Sequence, residues 1–297
     1  MKKPVFVGSA VALVTPFNEG GVDTKKLKAL IDFHLAHKTD AILVAATTGE
    51  AATMPDEEHL STIRTVVEYV DGRVPVIAGT GSNDTAHGIK LAKEATAIGA
   101  DALLTVTPYY NKTSQEGLYR HFKATAEATH LPIIVYNVPS RTNLNIAPAT
   151  YKRLSEIENI IGVKECNINQ VPETVSLCGD DLLLYSGEDG LVVPLLSMGG
   201  KGVISVAAHI VPEKMHDMVM AFLNGDVAGA AKTQAEIIPL VKALFSDVSP
   251  IPVKEALNIL GWDIGSCRMP LCDMSDEGKA KLAEVLKKYD LSFHPKF

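Results

Sequence analysis

Several things are scarce or missing in this sequence, and each absence narrows the reading. Four cysteines are present, Cys166, Cys178, Cys267 and Cys272, and no two stand in a Cys-x-x-Cys spacing. That argues against a zinc ribbon or a thioredoxin-like motif. A disulfide scaffold is out of keeping with a chain of 297 residues, and a reducing, cytoplasmic setting is expected. No apolar run approaches the ~20 residues that a membrane span needs. Lys2-Lys3 followed by Val5 to Val14 has the outline of a weak secretory leader. Its β-branched content and its end at Thr15-Pro16-Phe17 read better as a first strand. Basic blocks are also missing. The 28 basic and 35 acidic residues give a net charge of −7, which speaks against nucleic acid or an anionic membrane as partner. Gly79-x-Gly81 lacks the third glycine and the acidic partner of a dinucleotide fingerprint. No histidine lies at ligand spacing from Glu188-Asp189, so that pair reads as a solvated helix start and no metal is expected. No linker or low-complexity stretch interrupts the chain.

What the chain does have is a repeat. Short β-rich apolar runs recur at Val5 to Val14, Ala41 to Ala46, Val74 to Ala78 and Ala102 to Val106. They continue at Ile133 to Val135, Ile160 to Val163, Leu182 to Tyr185 and Gly202 to Val206. Each is followed by a helical pattern. Thr24 reads as the cap of the first helix, with Leu27, Leu30, Ile31 and His34 on one face. Gly99 stops the third helix, and Leu118, Phe122 and Ala126 face inward from the fourth. Strict alternation without hairpins predicts parallel strands buried on both faces. The expected fold is a (β/α)₈ TIM barrel over residues 1–225, followed by a helical C-terminal domain over 226–297. The latter carries helical patterns at Val227–Phe245, Val253–Leu260 and Glu277–Tyr289.

In such a barrel the site lies at the C-terminal ends of the strands. Thr47, Thr48, Tyr110, Tyr136, Arg141, Lys164 and Ile204 fall at or just past those ends. Lys164 ends an apolar strand. If desolvated it would hold more free amine, able to attack a carbonyl and form a Schiff base; a lysine snorkelling to the rim is the plain alternative. Glu165, next along the strand, is expected to face away. Tyr136 sits at the same rim and suits proton transfer, or simple aromatic packing. Thr47-Thr48-Gly49-Glu50 offers hydroxyls and N–H groups to a small carboxylate, or merely caps a helix. Arg141 has the fork for a second carboxylate, or is an exposed rim charge. Cys166 reads as packing, since no histidine is placed to activate it. His34 and His37, one turn apart, are assigned surface or packing roles.

Several stretches then resemble the dihydrodipicolinate synthase family of pyruvate-dependent class I aldolases. They are Thr47-Thr48-Gly49-Glu50, Thr107-Pro108-Tyr109-Tyr110-Asn111, Tyr136-Asn137-Val138-Pro139-Ser140-Arg141-Thr142 and Gly162-Val163-Lys164-Glu165. Ser186-Gly187-Glu188-Asp189 and Gly202-Val203-Ile204-Ser205 add to the match, which spans nearly the whole chain in order. The resemblance implies a lyase in which Lys164 forms an imine with pyruvate. The derived enamine attacks aspartate semialdehyde, giving 4-hydroxy-tetrahydrodipicolinate for lysine and diaminopimelate biosynthesis. It implies a proton relay of Tyr136, Thr47 and Tyr110, with Thr48, Arg141, Gly187 and Ile204 contacting substrate. It implies no cofactor, and a homotetramer built as a dimer of dimers in which Tyr110 enters the partner's site. N-acetylneuraminate lyases share the barrel, tyrosine and lysine but usually lack the arginine that Arg141 supplies. A catalytically silent barrel acting as a binding subunit is a third reading.

The resemblance also implies a vestigial site for lysine at Ala51, Asp56, His59, Asn83, His87 and Tyr109. Here His87 replaces a glutamate and Ala51 a serine, so weak or absent inhibition by lysine is expected. One departure lies beside the site. Cys166-Asn167-Ile168-Asn169 lacks the glycine that typically follows the Lys-Glu pair.

Overall fold

A computed structural model describes residues 2–294. Among these, eight parallel strands close into a barrel. They are β1 (Gly8–Ala12), β2 (Ala41–Val44), β3 (Val76–Gly79), β4 (Ala102–Val106), β5 (Ile133–Asn137), β6 (Ile160–Glu165), β7 (Leu183–Ser186) and β8 (Gly202–Ser205). Closure occurs at β1, which pairs with β8 through Ala10 and Ile204 and with β2 through Ala10 and Ala41. The helices outside are α1 (Thr24–Ala36), α2 (Asp56–Val70), α3 (Thr85–Ile98), α4 (Gln115–Glu127), α5 (Pro148–Ser155), α6 (Val171–Cys178), α7 (Val192–Leu196) and α8 (Pro212–Leu223). Three more follow the barrel: α9 (Val227–Leu244), α10 (Ile251–Ile259) and α11 (Asp276–Leu286). The fold is the TIM barrel with helical extension expected from the repeat.

The period of two along each strand builds two apolar layers. On β5, Ile134 and Tyr136 enter the barrel interior, while Ile133 and Val135 pack outward against helices. Small residues, Ala10, Ala12, Ala41 and Ala102, populate the interior. Helix burial follows the expected faces: Leu27, Leu30, Ile31 and His34 on α1, and Leu118, Phe122 and Ala126 on α4, are buried. Gly99 terminates α3 in the left-handed region, at φ 98°.

The cap of α1 differs from expectation. Asp23, not Thr24, precedes the helix and accepts the Lys26 N–H at 3.0 Å. A carboxylate there satisfies an orphan donor and favours the positive end of the helix dipole. His34 is buried and its Nδ1 meets Thr39 Oγ1 at 3.0 Å, while His37 pairs with Glu213 at 2.9 Å. Both are the packing and surface roles assigned to them. Beyond the strands, His209 ties the ends of β1 and β8 together. Its Nε2 accepts the Val14 N–H at 3.0 Å, which leaves Nδ1–H to donate to the Val206 carbonyl at 2.9 Å. Burial pushes this imidazole down to about 4, so the neutral tautomer is the one built into the fold.

Candidate active site

The parallel pairing of β5 and β6 places Tyr136 opposite Lys164, residue for residue. Both strands end at the same rim, and the two side chains share the interior face. Lys164 Nζ lies 4.5 Å from the centre of the Tyr136 ring. Lys164 is 5% exposed. Burial lowers its pKa, opposed by the nearby carboxylates of Asp189 and Glu188. Burial raises the Tyr136 phenol well above its ordinary value, so it stays protonated and can donate at neutral pH.

These two groups stand in a cavity of about 490 Å³ at the C-terminal end of the barrel. Thr47 and Thr48 form one side, with Thr48 buried and Thr47 exposed. Arg141, at the end of a single helical turn after β5, forms part of the mouth. Its Nη2 donates to the Ser249 carbonyl at 2.9 Å. Gly187 lies beside the lysine stem. A Cβ there would stand 2.4 Å from Cys166 Sγ and 3.2 Å from Lys164 Cγ, so a side chain would push Cys166 aside and crowd the lysine stem.

The structure thus brings Lys164, Tyr136, Thr47, Thr48, Arg141 and Gly187 to one cavity. Two candidates fall elsewhere. Ile204 is buried in the barrel interior below the cavity lining. Tyr110 is 92% exposed, on left-handed backbone with φ 70°, and does not line the cavity of its own chain.

The Glu188-Asp189 pair is not a solvated helix start. Asp189 is 2% exposed, and its Oδ2 accepts the N–H groups of Val206 and Ala207 at 3.0 and 2.8 Å. The loop past β8 turns sharply enough to aim two backbone donors at one carboxylate, and burying Asp189 satisfies them. Burial raises its pKa. Glu188 lines the cavity, and burial raises its carboxyl as well. Cys166 is held as a neutral thiol, pushed up to about 12 by burial against the opposing charge of Lys164. Among the described residues, no group of three His, Cys, Asp or Glu side chains is arranged to hold a metal ion.

A model of the dihydrodipicolinate synthetase family matches residues 5–289. The chain belongs to that family. A 4-hydroxy-tetrahydrodipicolinate synthase from Acetivibrio thermocellus is 56% identical over 291 residues, covering 98% of this chain and all of that one. Another from Caldicellulosiruptor saccharolyticus is 54% identical, covering 97% and 99%. The crystal structure of a dihydrodipicolinate synthase from Aquifex aeolicus superposes with a TM-score of 0.94 at 46% identity, covering 96% and 99%.

Against the family pattern, the glycine missing after Lys164-Glu165 turns out not to be needed. Asn167 has φ −110°, and a 3₁₀ turn, Ile168–Gln170, follows. No residue from 166 to 170 is left-handed. A polar network sets the turn instead. Glu165 faces outward, away from Lys164, as expected from strand alternation. Its carboxylate accepts from Asn137 Nδ2, the Asn167 N–H, Tyr151 Oη and Gln170 Nε2, at 2.7 to 2.9 Å. Burial raises the Glu165 pKa, and these four donors offset that cost.

The residues expected to form a vestigial lysine site lie apart from the cavity. His87 Nε2 meets Asp56 Oδ1 at 2.8 Å, and Lys90 Nζ meets Asp56 Oδ2 at 2.7 Å. His59 is buried and bonded to the Gly79 carbonyl, and Asn111 Nδ2 donates to the Asn83 carbonyl. Tyr109 is 38% exposed.

Sequence reasoning missed the far wall of the cavity: Phe245, Asp247, Val248 and Ser249, with Val206 and Glu188. Glu188 stands just past a strand end and was open to the rule that found Lys164. The stretch from Phe245 to Ser249 sends no such signal, because it lies between α9 and α10 and reaches the barrel only through tertiary packing.

Proposed function

We propose that this chain is a 4-hydroxy-tetrahydrodipicolinate synthase, acting in lysine and diaminopimelate biosynthesis. The observation that carries the reading is a buried amine, Lys164, facing a protonated phenol, Tyr136, in one cavity. In this reading Lys164 attacks the pyruvate carbonyl, expels water and leaves an imine. Loss of a methyl proton gives the enamine, whose carbon bonds to the aldehyde carbon of L-aspartate 4-semialdehyde. The substrate's own amine then displaces Lys164 and closes the ring. Tyr136, Thr47 and Tyr110 relay protons; Thr48 holds the pyruvate carboxylate and Arg141 that of the semialdehyde. Gly187 and Ile204 complete the substrate contacts. In this reading the barrel within residues 1–225 carries the reacting residues, the helical domain that begins at 226 lends the cavity one wall, and no cofactor is required. The setting is cytoplasmic. Turnover with pyruvate and a panel of aldehydes tests this: aspartate semialdehyde is expected to lead. A preference for N-acetylmannosamine would favour the sister lyases, and no turnover with any aldehyde would favour a silent barrel.

The reading includes a homotetramer built as a dimer of dimers, with Tyr110 serving the partner. Its support is the neighbouring exposed rings of Tyr109 and Tyr110, the latter held on left-handed backbone. Aromatics displayed this way suit an interface. Mixing inactive Lys164→Ala and Tyr110→Phe chains is expected to restore part of the activity in mixed dimers. Absence of rescue despite proven subunit exchange would assign Tyr110 to its own chain.

Free lysine is expected to inhibit weakly or not at all. His87 in place of a glutamate removes a charge-assisted partner for the ligand's α-ammonium, worth about 1.5–3 kcal/mol, or about tenfold to a hundredfold in affinity. Asp56 offers little compensation, since His87 and Lys90 already bind its two oxygens. An activity titration with L-lysine checks this. Strong inhibition below millimolar lysine would refute it, and His87→Glu should increase sensitivity.

A further inference from the structure

A buried ion pair outside the cavity joins two segments that adjoin it. Lys254, on α10, is 2% exposed and donates from Nζ to Glu50 Oε1 at 2.8 Å and to the Ser266 carbonyl at 2.9 Å. The side chain of Glu50 is itself 1% exposed. Its second oxygen, Oε2, accepts the Arg268 N–H at 2.8 Å. The Phe17 ring takes cations on its face, with Lys254 Nζ 4.6 Å and Arg268 Cζ 3.9 Å from its centre.

Glu50 ends the turn that carries Thr47 and Thr48. That turn is flanked by two left-handed residues other than glycine, Ala45 at φ 52° and Glu50 at φ 58°. Such backbone is strained and persists only where the surroundings over-determine it. The surroundings here are the Thr15 Oγ1 bond to the Gly49 carbonyl, at 2.8 Å, and the buried ion pair. At the other end of the pair, Lys254 lies within the first two turns of α10, directly after Asp247, Val248 and Ser249 of the far wall. One ion pair, between residues 204 apart in sequence, therefore links the turn that carries Thr47 and Thr48 to the helix that follows Asp247, Val248 and Ser249.

We propose that Glu50 and Lys254 are positioning residues that set the keto-acid site by locking the Thr47–Thr48 turn to the helix behind the opposite wall. This rests on the reading of Thr48 as a contact for the pyruvate carboxylate. A buried pair is weak evidence for stability, because well-packed neutral residues often replace it without loss. Its retention here serves the geometry of the turn. Thr48 would hold the carboxylate in ground state and transition state alike, so its displacement weakens pyruvate binding, while displacement of Thr47 on the same turn disturbs the proton relay and slows turnover.

Two variants of the full chain test this. Glu50→Asp keeps the charge and shortens the reach by one methylene. The double variant Glu50→Gln/Lys254→Met removes both charges and leaves no uncompensated ion. Half-saturation by pyruvate is read from borohydride trapping on Lys164, without the second substrate, and kcat and melting temperature are measured alongside. Both variants are expected to need about tenfold more pyruvate for half-saturation of the adduct, with kcat lowered as well through Thr47. The double variant is expected to melt within a few degrees of wild type. If it fails to fold, Glu50→Asp decides alone. Unchanged half-saturation in a folded variant, with or without a lower melting temperature, makes the pair merely structural and overturns the proposal. A wild-type chain that forms no reducible adduct with pyruvate overturns the functional reading, and this proposal with it.

Discussion

Borohydride reduction in the presence of pyruvate is expected to add one three-carbon adduct per chain, on Lys164 and no other lysine. Surface lysines such as Lys38 and Lys90 are held as ammonium by Asp217 and Asp56, which raise their pKa values. Lys254 is buried, but its Nζ is already bonded to Glu50 and Ser266. Lys164 combines burial, a lowered pKa and an open cavity in front of it. Free amine is the attacking species, so the fraction competent to react grows as pH rises toward the lowered pKa. Lys164→Ala should reduce turnover by about four orders of magnitude or more, as removal of a covalent nucleophile does. The fold should survive, because the lost side chain borders a cavity rather than a packed interior. Peptide mass mapping and a melting curve check both halves. An adduct on another lysine, or residual turnover near wild type, would sink the imine.

Arg141→Ala should separate the two substrates. The guanidinium is exposed at the mouth and makes one bond to a backbone carbonyl, which water can replace when the side chain is removed. A carboxylate gripped by the fork is worth more, about 1.5–3 kcal/mol. The half-saturating concentration of aspartate semialdehyde should therefore rise about tenfold to a hundredfold, while imine trapping with pyruvate changes by less than about threefold. Equal losses with both substrates would show that Arg141 holds the mouth in shape rather than binding a ligand. Arg141→Lys should restore little, since a point charge cannot reproduce the bidentate fork.

The barrel and the lysine were legible because both are written in local pattern. Eight short β-rich apolar runs, each followed by a helical repeat, leave few topologies, and parallel strands then force Tyr136 and Lys164 onto one rim. What escaped depends on distance along the chain. The Ser249 carbonyl that takes Arg141 is 108 residues away, and Lys254 is 204 residues from Glu50. No periodicity or spacing encodes such a meeting. Asp189 was misread for a related reason. An acid at the start of a helical turn has the appearance of an ordinary solvated terminus, and only the folded loop past β8 reveals the two N–H groups it must serve. The turn at Cys166–Gln170 held a different lesson. A glycine is one route to a sharp turn, and a buried carboxylate with four donors is another.

The far wall from Phe245 to Ser249 lies on a stretch that is not part of the strand–helix repeat. Phe245 and Val248 are 41% and 51% exposed, and substitutions at such positions usually change stability by no more than about 0.5 kcal/mol. The reacting amine and the gate it looks out on are therefore separately mutable. A lineage, or a laboratory selection, can redraw the outline of the acceptable aldehyde by changes in this one short loop while the barrel's register, and the chemistry it fixes, pass unaltered from one generation to the next.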